Sequence, residues 1–120
     1  MRAELGIFVG GGDSRELMEM EKSSEMQGFI SPKTENIVVA LKNKPDSVVV
    51  RGGLTWHCVA DTAKLALYFG VPEVVIDLHH CRATIWDKGD DNNLKLRRET
   101  LYRGLGRRAI RDPRLFILPL

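Results

Sequence analysis

The histidine and cysteine residues of this chain lie in two short clusters. The pair His57–Cys58 and the triplet His79–Cys81 together contain all three histidines and both cysteines. Imidazole and thiol groups act as general acids and bases, as nucleophiles or as metal ligands. Asp77 precedes the triplet, and a carboxylate beside an imidazole orients it for proton transfer.

Three interpretations of these clusters remain open. The first is acid–base or nucleophilic catalysis, and the second is a transition metal bound by residues drawn from both clusters and Asp77. The third is that the cysteines pack as small hydrophobic residues and the histidines lie on loops. The catalytic candidates are His57, Cys58, Asp77, His79, His80 and Cys81, the metal candidates are His57, Asp77, His79 and Cys81, and a divalent metal is an open cofactor assignment.

Side-chain geometry narrows the choice within the first cluster. Neighbours on a helix point about 100° apart, so we expect that His57 and Cys58 do not share one small target. Cys58 would lie in the first turn of its helix, where the positive helix end favours the reactive thiolate.

The second cluster follows a predicted strand. Side chains of an extended chain alternate between the two faces of a sheet. If the strand persists that far, Asp77, His79 and Cys81 share one face and His80 lies on the other.

The pattern of the chain around these clusters predicts a βαβ unit that positions them. A valine-rich strand, Ser47–Val50, leads through a Gly52–Gly53 turn and the capping residue Thr55 into a helix, Trp56–Phe69. A strand over Glu73–Leu78 follows. Strands joined in this way are parallel, with a right-handed crossover.

The rest of the chain supplies further elements. Glycine, proline and small oxygen-bearing side chains predict their ends. The predictions are a strand over 3–9, a helix over 15–26 capped by Asp13 or Ser14, a helix over 32–44 after Ser31, a strand over 82–86, a basic helix over 93–103 that is broken near Gly104 and Gly106, and a strand over 115–118.

Length and composition set the fold class. A chain of 120 residues, of which 43% are hydrophobic and 28% charged, fits one globular domain spanning residues 1–120. The alternation of strands and helices predicts a small Rossmann-like three-layer α/β domain with a mostly parallel sheet of about four or five strands.

Ligands of such sheets bind outside the carboxyl ends of the strands. If the first strand is also parallel, a question that the sequence leaves open, three loops converge there. Two of them present glycines and helix amides suited to an anion. The ligand-binding candidates are Gly11, Gly12, Asp13, Ser14, Arg51, Gly52, Gly53, Thr55, Arg97 and Arg98.

Charge is unevenly distributed along the chain. Residues 1–35 carry four basic and seven acidic side chains, whereas residues 95–114 carry eight basic and two acidic ones. The basic segment can bind phosphate, or it can form ion pairs with the acidic segment, either within one chain or across a dimer. Tyr102, Trp86 and Trp56 are candidates for base stacking. Of these, Trp56 is expected in the core, and Trp86, next to charged turn residues, is the one expected to make an exposed contact.

Two segments resemble known families in general pattern. Val48–Trp86, about a third of the chain, resembles the strand, Gly-x-x-x-Trp turn and helix of CRISPR-associated ring nucleases, which cut cyclic oligonucleotide messengers. Asp77-Leu78-His79-His80 resembles the aspartate–histidine–histidine strand end of a manganese phosphoesterase family, with a leucine inserted. Neither resemblance assigns the chain to a family.

Two functions follow as hypotheses. One is binding of a nucleotide or oligonucleotide at the carboxyl edge, with cleavage of a phosphodiester by the histidine, aspartate and cysteine group. The other is a regulatory module that forms homo-oligomers through the apolar segment Leu115–Leu118. The apolar runs are too short to span a membrane, so we expect a cytoplasmic protein with no membrane partner.

Overall fold

The computed structural model describes residues 3–10, 12, 14–32 and 34–120. In this part of the chain, five strands form one sheet accompanied by four α-helices. The strands are β1 (Glu4–Val9), β2 (Phe29–Ile30), β3 (Ser47–Gly53), β4 (Glu73–Arg82) and β5 (Leu115–Leu118), and the helices are α1 (Arg15–Glu21), α2 (Thr34–Lys42), α3 (Ala60–Tyr68) and α4 (Leu94–Ile110).

The strand order is β2-β1-β3-β4-β5, and every neighbouring pair is parallel. The predicted α/β class and the βαβ unit are therefore confirmed, and β1 is parallel to β3. In a doubly wound sheet of this order the chain reverses direction between β1 and β3, which opens a crevice at the carboxyl ends of these two strands.

The two faces of the sheet are covered unequally. Val48 and Val50 of β3 lie in the larger core cluster, with side chains of α2, α3 and α4. Phe8 of β1 faces the opposite way and packs against Leu17 and Met20 of α1. Three helices thus cover one face, and α1 lies on the other.

Several predicted helix ends were wrong. α1 stops at Glu21, because the Ser23 hydroxyl and amide both bond to the Met20 carbonyl and close the helix. A 3₁₀ turn over Ser24–Met26 and the short strand β2 follow, which the sequence did not predict. α2 begins at Thr34, two residues later than predicted.

Gly52 and Gly53 belong to β3 and do not form the predicted turn. A Cβ atom on Gly52 would lie 2.1 Å from the carbonyl oxygen of Val9, and the φ of Gly52 is 115°. Glycine is needed here because β1 and β3 approach each other closely, which a side chain would prevent.

β4 also runs further than predicted and ends at Arg82, so the predicted strand over 82–86 was wrong. Cys81 and Arg82 pair with Gly52 and Gly53, which extends the sheet. The chain beyond β4 instead folds around Asp87, whose carboxylate accepts bonds from the backbone amides of residues 83 and 89 at 2.9 Å each.

The entry to α3 is a π-helical turn over Thr55–Val59, with α-helix from Ala60. The amide of Val59 donates to the carbonyl of Leu54, the longer spacing of a π turn. α4 extends past residue 103, its predicted end, to Ile110. The predicted break is confirmed at Gly106, whose φ of 81° and ψ of 165° are non-helical. None of the helices described is both long and apolar enough to cross a membrane.

Candidate functional site

A pocket of about 480 Å³ opens at the carboxyl edge of the sheet, on the side of the three helices. Its floor comes from the end of β1, and its walls come from the start of α2 and from the π turn and first turns of α3. It therefore lies at the β1/β3 crevice. The lining residues are Val9, Gly10, Pro32, Ile37, His57, Cys58, Asp61, Thr62 and Leu65.

Three chemically active side chains line this pocket together. The Cys58 thiol lies 3.5 Å from Nδ1 of His57, and Nε2 of His57 lies 3.7 Å from the carboxylate of Asp61. The expectation that His57 and Cys58 would not share a target was wrong. It assumed α-helical angles, whereas both residues lie in the wider π turn.

The order thiol, imidazole, carboxylate has a clear chemical meaning. An imidazole that contacts a thiol can accept its proton and leave a nucleophilic thiolate, and a carboxylate on the far side orients the ring. The same imidazole can instead take a proton from water or from a ligand hydroxyl. Asp61 was not among the predicted site residues, although its i, i+4 spacing from His57 was a usable signal.

A second polar group lies on the opposite face of the sheet, with α1. Nε of Arg51 donates to Asp77 at 2.9 Å, and Nδ1 of His80 lies 2.8 Å from the same carboxylate oxygen. Nε2 of His80 lies 2.9 Å from the Glu25 carboxylate, and Nη1 of Arg51 donates to the Glu25 carbonyl at 2.7 Å. The Arg51 guanidinium also lies 4.7 Å from the centre of the Phe29 ring.

The histidine that joins Asp77 is His80, whereas His79 and Cys81 were predicted on its face. The prediction was wrong because β4 contains a bulge. Val50 pairs with Ile76 but Gly52 pairs with Cys81, so β4 holds three extra residues in that interval. An odd number of extra residues reverses the alternation of faces.

The other predicted catalytic residues lie apart from the pocket. Cys81 is fully buried in the larger core cluster, and burial, assisted by the nearby Asp77 charge, raises its pKa to about 12. Such a thiol stays protonated at neutral pH. His79 is half-exposed, with Nδ1 3.7 Å from the Asp91 carboxylate.

Most of the predicted basic and polar ligand residues are engaged within the fold. Arg97 is fully buried and holds Asp87 through two bonds of 2.7 Å each. Burial alone would raise the pKa of Asp87, but bonds from Arg97 and from two backbone amides outweigh it, and the pKa is lowered. Arg98 donates to the carbonyl of Pro119, and the Thr55 hydroxyl lies 2.6 Å from that of Thr100.

The glycine-rich loop after β1 is described in part. Gly10 lies on the rim of the pocket with a φ of 75°, and Gly12 is exposed. Ser14 caps α1 by accepting a bond from the amide of Leu17 at 3.1 Å, which confirms one of its two predicted caps. Gly11 and Asp13 lie outside the described residues.

The exposure of the aromatic side chains differs in part from the prediction. Trp56, expected in the core, is 50% exposed, because its side chain projects from the π turn beside His57. Trp86 is 80% exposed, as its charged surroundings suggested. Within the described ranges, no group of three or more histidine, cysteine, aspartate or glutamate side chains is arranged to hold a metal ion.

No protein-family model, curated protein or solved structure matches this chain.

Proposed function

We propose that this chain binds a phosphate-bearing ligand, a nucleotide or oligonucleotide, in the pocket at the carboxyl edge and cleaves its phosphodiester there. One observation carries the proposal. The pocket lies at the β1/β3 crevice, where doubly wound sheets bind ligands, and His57, Cys58 and Asp61 line it together.

The pocket is suited to a ligand with an apolar and a charged part. Its volume of about 480 Å³ falls within the range of small-molecule sites. Val9, Ile37 and Leu65 supply an apolar wall for a base or sugar. The Thr62 hydroxyl can donate a hydrogen bond to phosphate, and Gly10 lets the backbone approach it closely.

The same residues support a cleavage mechanism. His57 would take the proton of the attacking water or ribose hydroxyl while the new bond to phosphorus forms, and would give that proton to the leaving ribose oxygen as its bond to phosphorus breaks. Asp61 would hold the imidazole in place at Nε2. In the alternative, Cys58 would give its proton to Nδ1 of His57 and its sulfur would attack phosphorus; the ribose oxygen would leave with that proton, and water would then hydrolyse the sulfur–phosphorus bond. Arg51, Asp77 and His80 act elsewhere, since they lie on the other face of the sheet.

Ligand binding is tested by a thermal-shift and calorimetric screen of nucleotides and short oligonucleotides. We expect at least one of them to raise the melting temperature of the wild type and of His79→Ala, but not of His57→Ala. His79→Ala is the matched control, since it removes a half-exposed imidazole outside the pocket. An equal shift in His57→Ala would refute the site, and elemental analysis of the same sample decides whether a divalent metal takes part.

A second candidate function is association of two copies through β5. Phe116 and Leu118 of this edge strand are 45% and 39% exposed, on the face where α1 is the single described helix. A parallel sheet normally has both faces covered. The acidic residues of 1–35 and the basic residues of 95–114 favour a second copy as the cover.

Light scattering at low and high salt tests this association. The candidate predicts a dimer that weakens with salt and becomes a monomer in the double variant Phe116→Lys, Leu118→Lys. A wild type that is monomeric at all salt concentrations would contradict it and leave the binding function standing.

A further inference from the structure

Trp56 lies just outside the pocket and borders a second concavity of about 380 Å³. We name this region the Trp56 shelf; it is lined by Trp56, Thr100, Arg103 and Gly104. The rings of Trp56 and His57 lie 5.2 Å apart at 36°. Because His57 also lines the pocket, the shelf and the pocket adjoin across the imidazole.

The fold holds the shelf in place through α4. A Cβ atom on Gly104 would lie 2.4 Å from the Trp56 carbonyl oxygen and 2.7 Å from the Cβ of Ala60. Glycine thus lets α4 pack directly on the π turn that carries the indole. The bond between the hydroxyls of Thr100 and Thr55 joins the same two elements. The shelf is therefore a feature of packed helices, with the indole half-exposed.

Arg103 gives the shelf a positive charge. Its side chain is exposed, and its guanidinium makes no hydrogen bond or ion pair with the residues that the structure describes. An exposed indole beside such a guanidinium matches the two parts of a nucleotide. The base stacks on the aromatic face, and the phosphate accepts bonds from arginine.

We propose that the Trp56 shelf is a subsite for a second nucleotide, with its base on Trp56 and its phosphate at Arg103. This inference rests on the proposed function, which places the first nucleotide in the pocket. It makes the preferred ligand an oligonucleotide of two or more units, whose linking phosphate lies near His57.

The test compares AMP with the dinucleotide pApA by calorimetry and fluorescence. The Trp86→Phe variant leaves Trp56 as the single tryptophan, so that its emission reports the shelf alone. We expect pApA to bind about tenfold more tightly than AMP, the effect of one stacked base, and to quench Trp56. Trp56→Ala should abolish this advantage, so that pApA binds no more tightly than AMP, and Arg103→Gln should reduce it.

Lys95→Gln is the matched charge control, because Lys95 is an exposed cation of the same helix outside the shelf. It should keep the full preference for pApA. If AMP binds but pApA binds no more tightly, or if the preference survives in Trp56→Ala, the shelf is not a subsite and the pocket stands. If neither ligand binds, the proposed function fails and the subsite fails with it.

Discussion

Cys81 is a thiol that the fold keeps protonated. Its pKa rises from 9.0 to about 12, chiefly through burial. The unfolded chain releases this proton near pH 9 and the native chain does not, so the native state binds more protons between these values. Stability that is fully present below pH 9 is therefore lost as the pH rises toward 12.

We predict that the free energy of unfolding of the wild type falls with pH above 9 by about 1.4 kcal/mol per unit more than that of Cys81→Ala. Urea titrations at pH 8 and pH 10.5 measure this difference. Val74→Ala, which removes part of a buried side chain that does not titrate, is the control and should keep the wild-type slope. If the free energy of unfolding falls equally with pH in the wild type and in Cys81→Ala, the buried thiol does not cause the loss of stability above pH 9.

Arg97 is expected to matter for stability and not for ligand binding. It is fully buried and bonded to Asp87, so its loss leaves an uncompensated carboxylate in the core. We predict that Arg97→Ala lowers the free energy of unfolding by about 3–5 kcal/mol. Lys95→Ala, which changes an exposed cation of the same helix, should change it by less than about 0.5 kcal/mol in a parallel urea titration.

A small loss in Arg97→Ala would contradict the structural role of this residue. The sequence predicted Arg97 as a ligand-binding residue, and this was wrong for a physical reason. Arginine in a basic helix usually faces solvent, and a single sequence does not show that Asp87, ten residues earlier, turns inward to meet it.

At the scale of elements, His80 fastens the segment between α1 and α2 to the sheet. Its two ring nitrogens lie 2.8 and 2.9 Å from the carboxylates of Asp77 and Glu25. The Glu25 contact holds the 3₁₀ turn over β3 and β4, and β2, which pairs with β1, follows directly.

We predict that His80→Ala raises amide hydrogen exchange in residues 23–30 by about tenfold, the upper end for one lost hydrogen bond. Exchange in the β3 core should stay unchanged, since those amides belong to the sheet. His79→Ala is the matched control. Unchanged exchange of residues 23–30 in His80→Ala would show that α1 and Phe29 hold the segment without it.

The elements with strong local signals were predicted and those set by tertiary contacts were not. The valine run of β3, the glycine that ends α3 and the apolar run of β5 are local patterns, and each element was found. β2 has two residues and exists because it pairs with Gly6 and Ile7 of β1. The bulge in β4 and the π turn likewise depend on neighbours distant in sequence.

The same contrast governs the candidate site. The clustering of His57 with Cys58 was visible in the sequence, and the carboxyl edge was expected from the βαβ pattern. The cluster His79–Cys81 could lie beside His57 and Cys58 only if the register between β3 and β4 placed it on the same face of the sheet. The bulge placed His80 with Asp77 on one face of the sheet, and the pocket lies on the other.

At the scale of the whole molecule, the sheet has the strand order β2-β1-β3-β4-β5, and the carboxyl and amino ends of its strands carry different side chains. The carboxyl edge carries the pocket of His57, Cys58 and Asp61. Near the amino edge, a concavity of about 360 Å³ is lined by basic side chains, including Lys64 and Arg108, together with Tyr68. The two edges are competing places for an anionic ligand, so a binding result must be located as well as detected.

Mapping amide chemical shifts during titration with the tightest-binding nucleotide tests the central claim most directly. The account predicts that the largest changes fall on Val9, Gly10 and residues 55–62, and that His57→Ala removes them. Changes centred on Tyr68 and Arg108, or the same changes in His57→Ala, would contradict the assignment of the pocket at the carboxyl edge as the functional site.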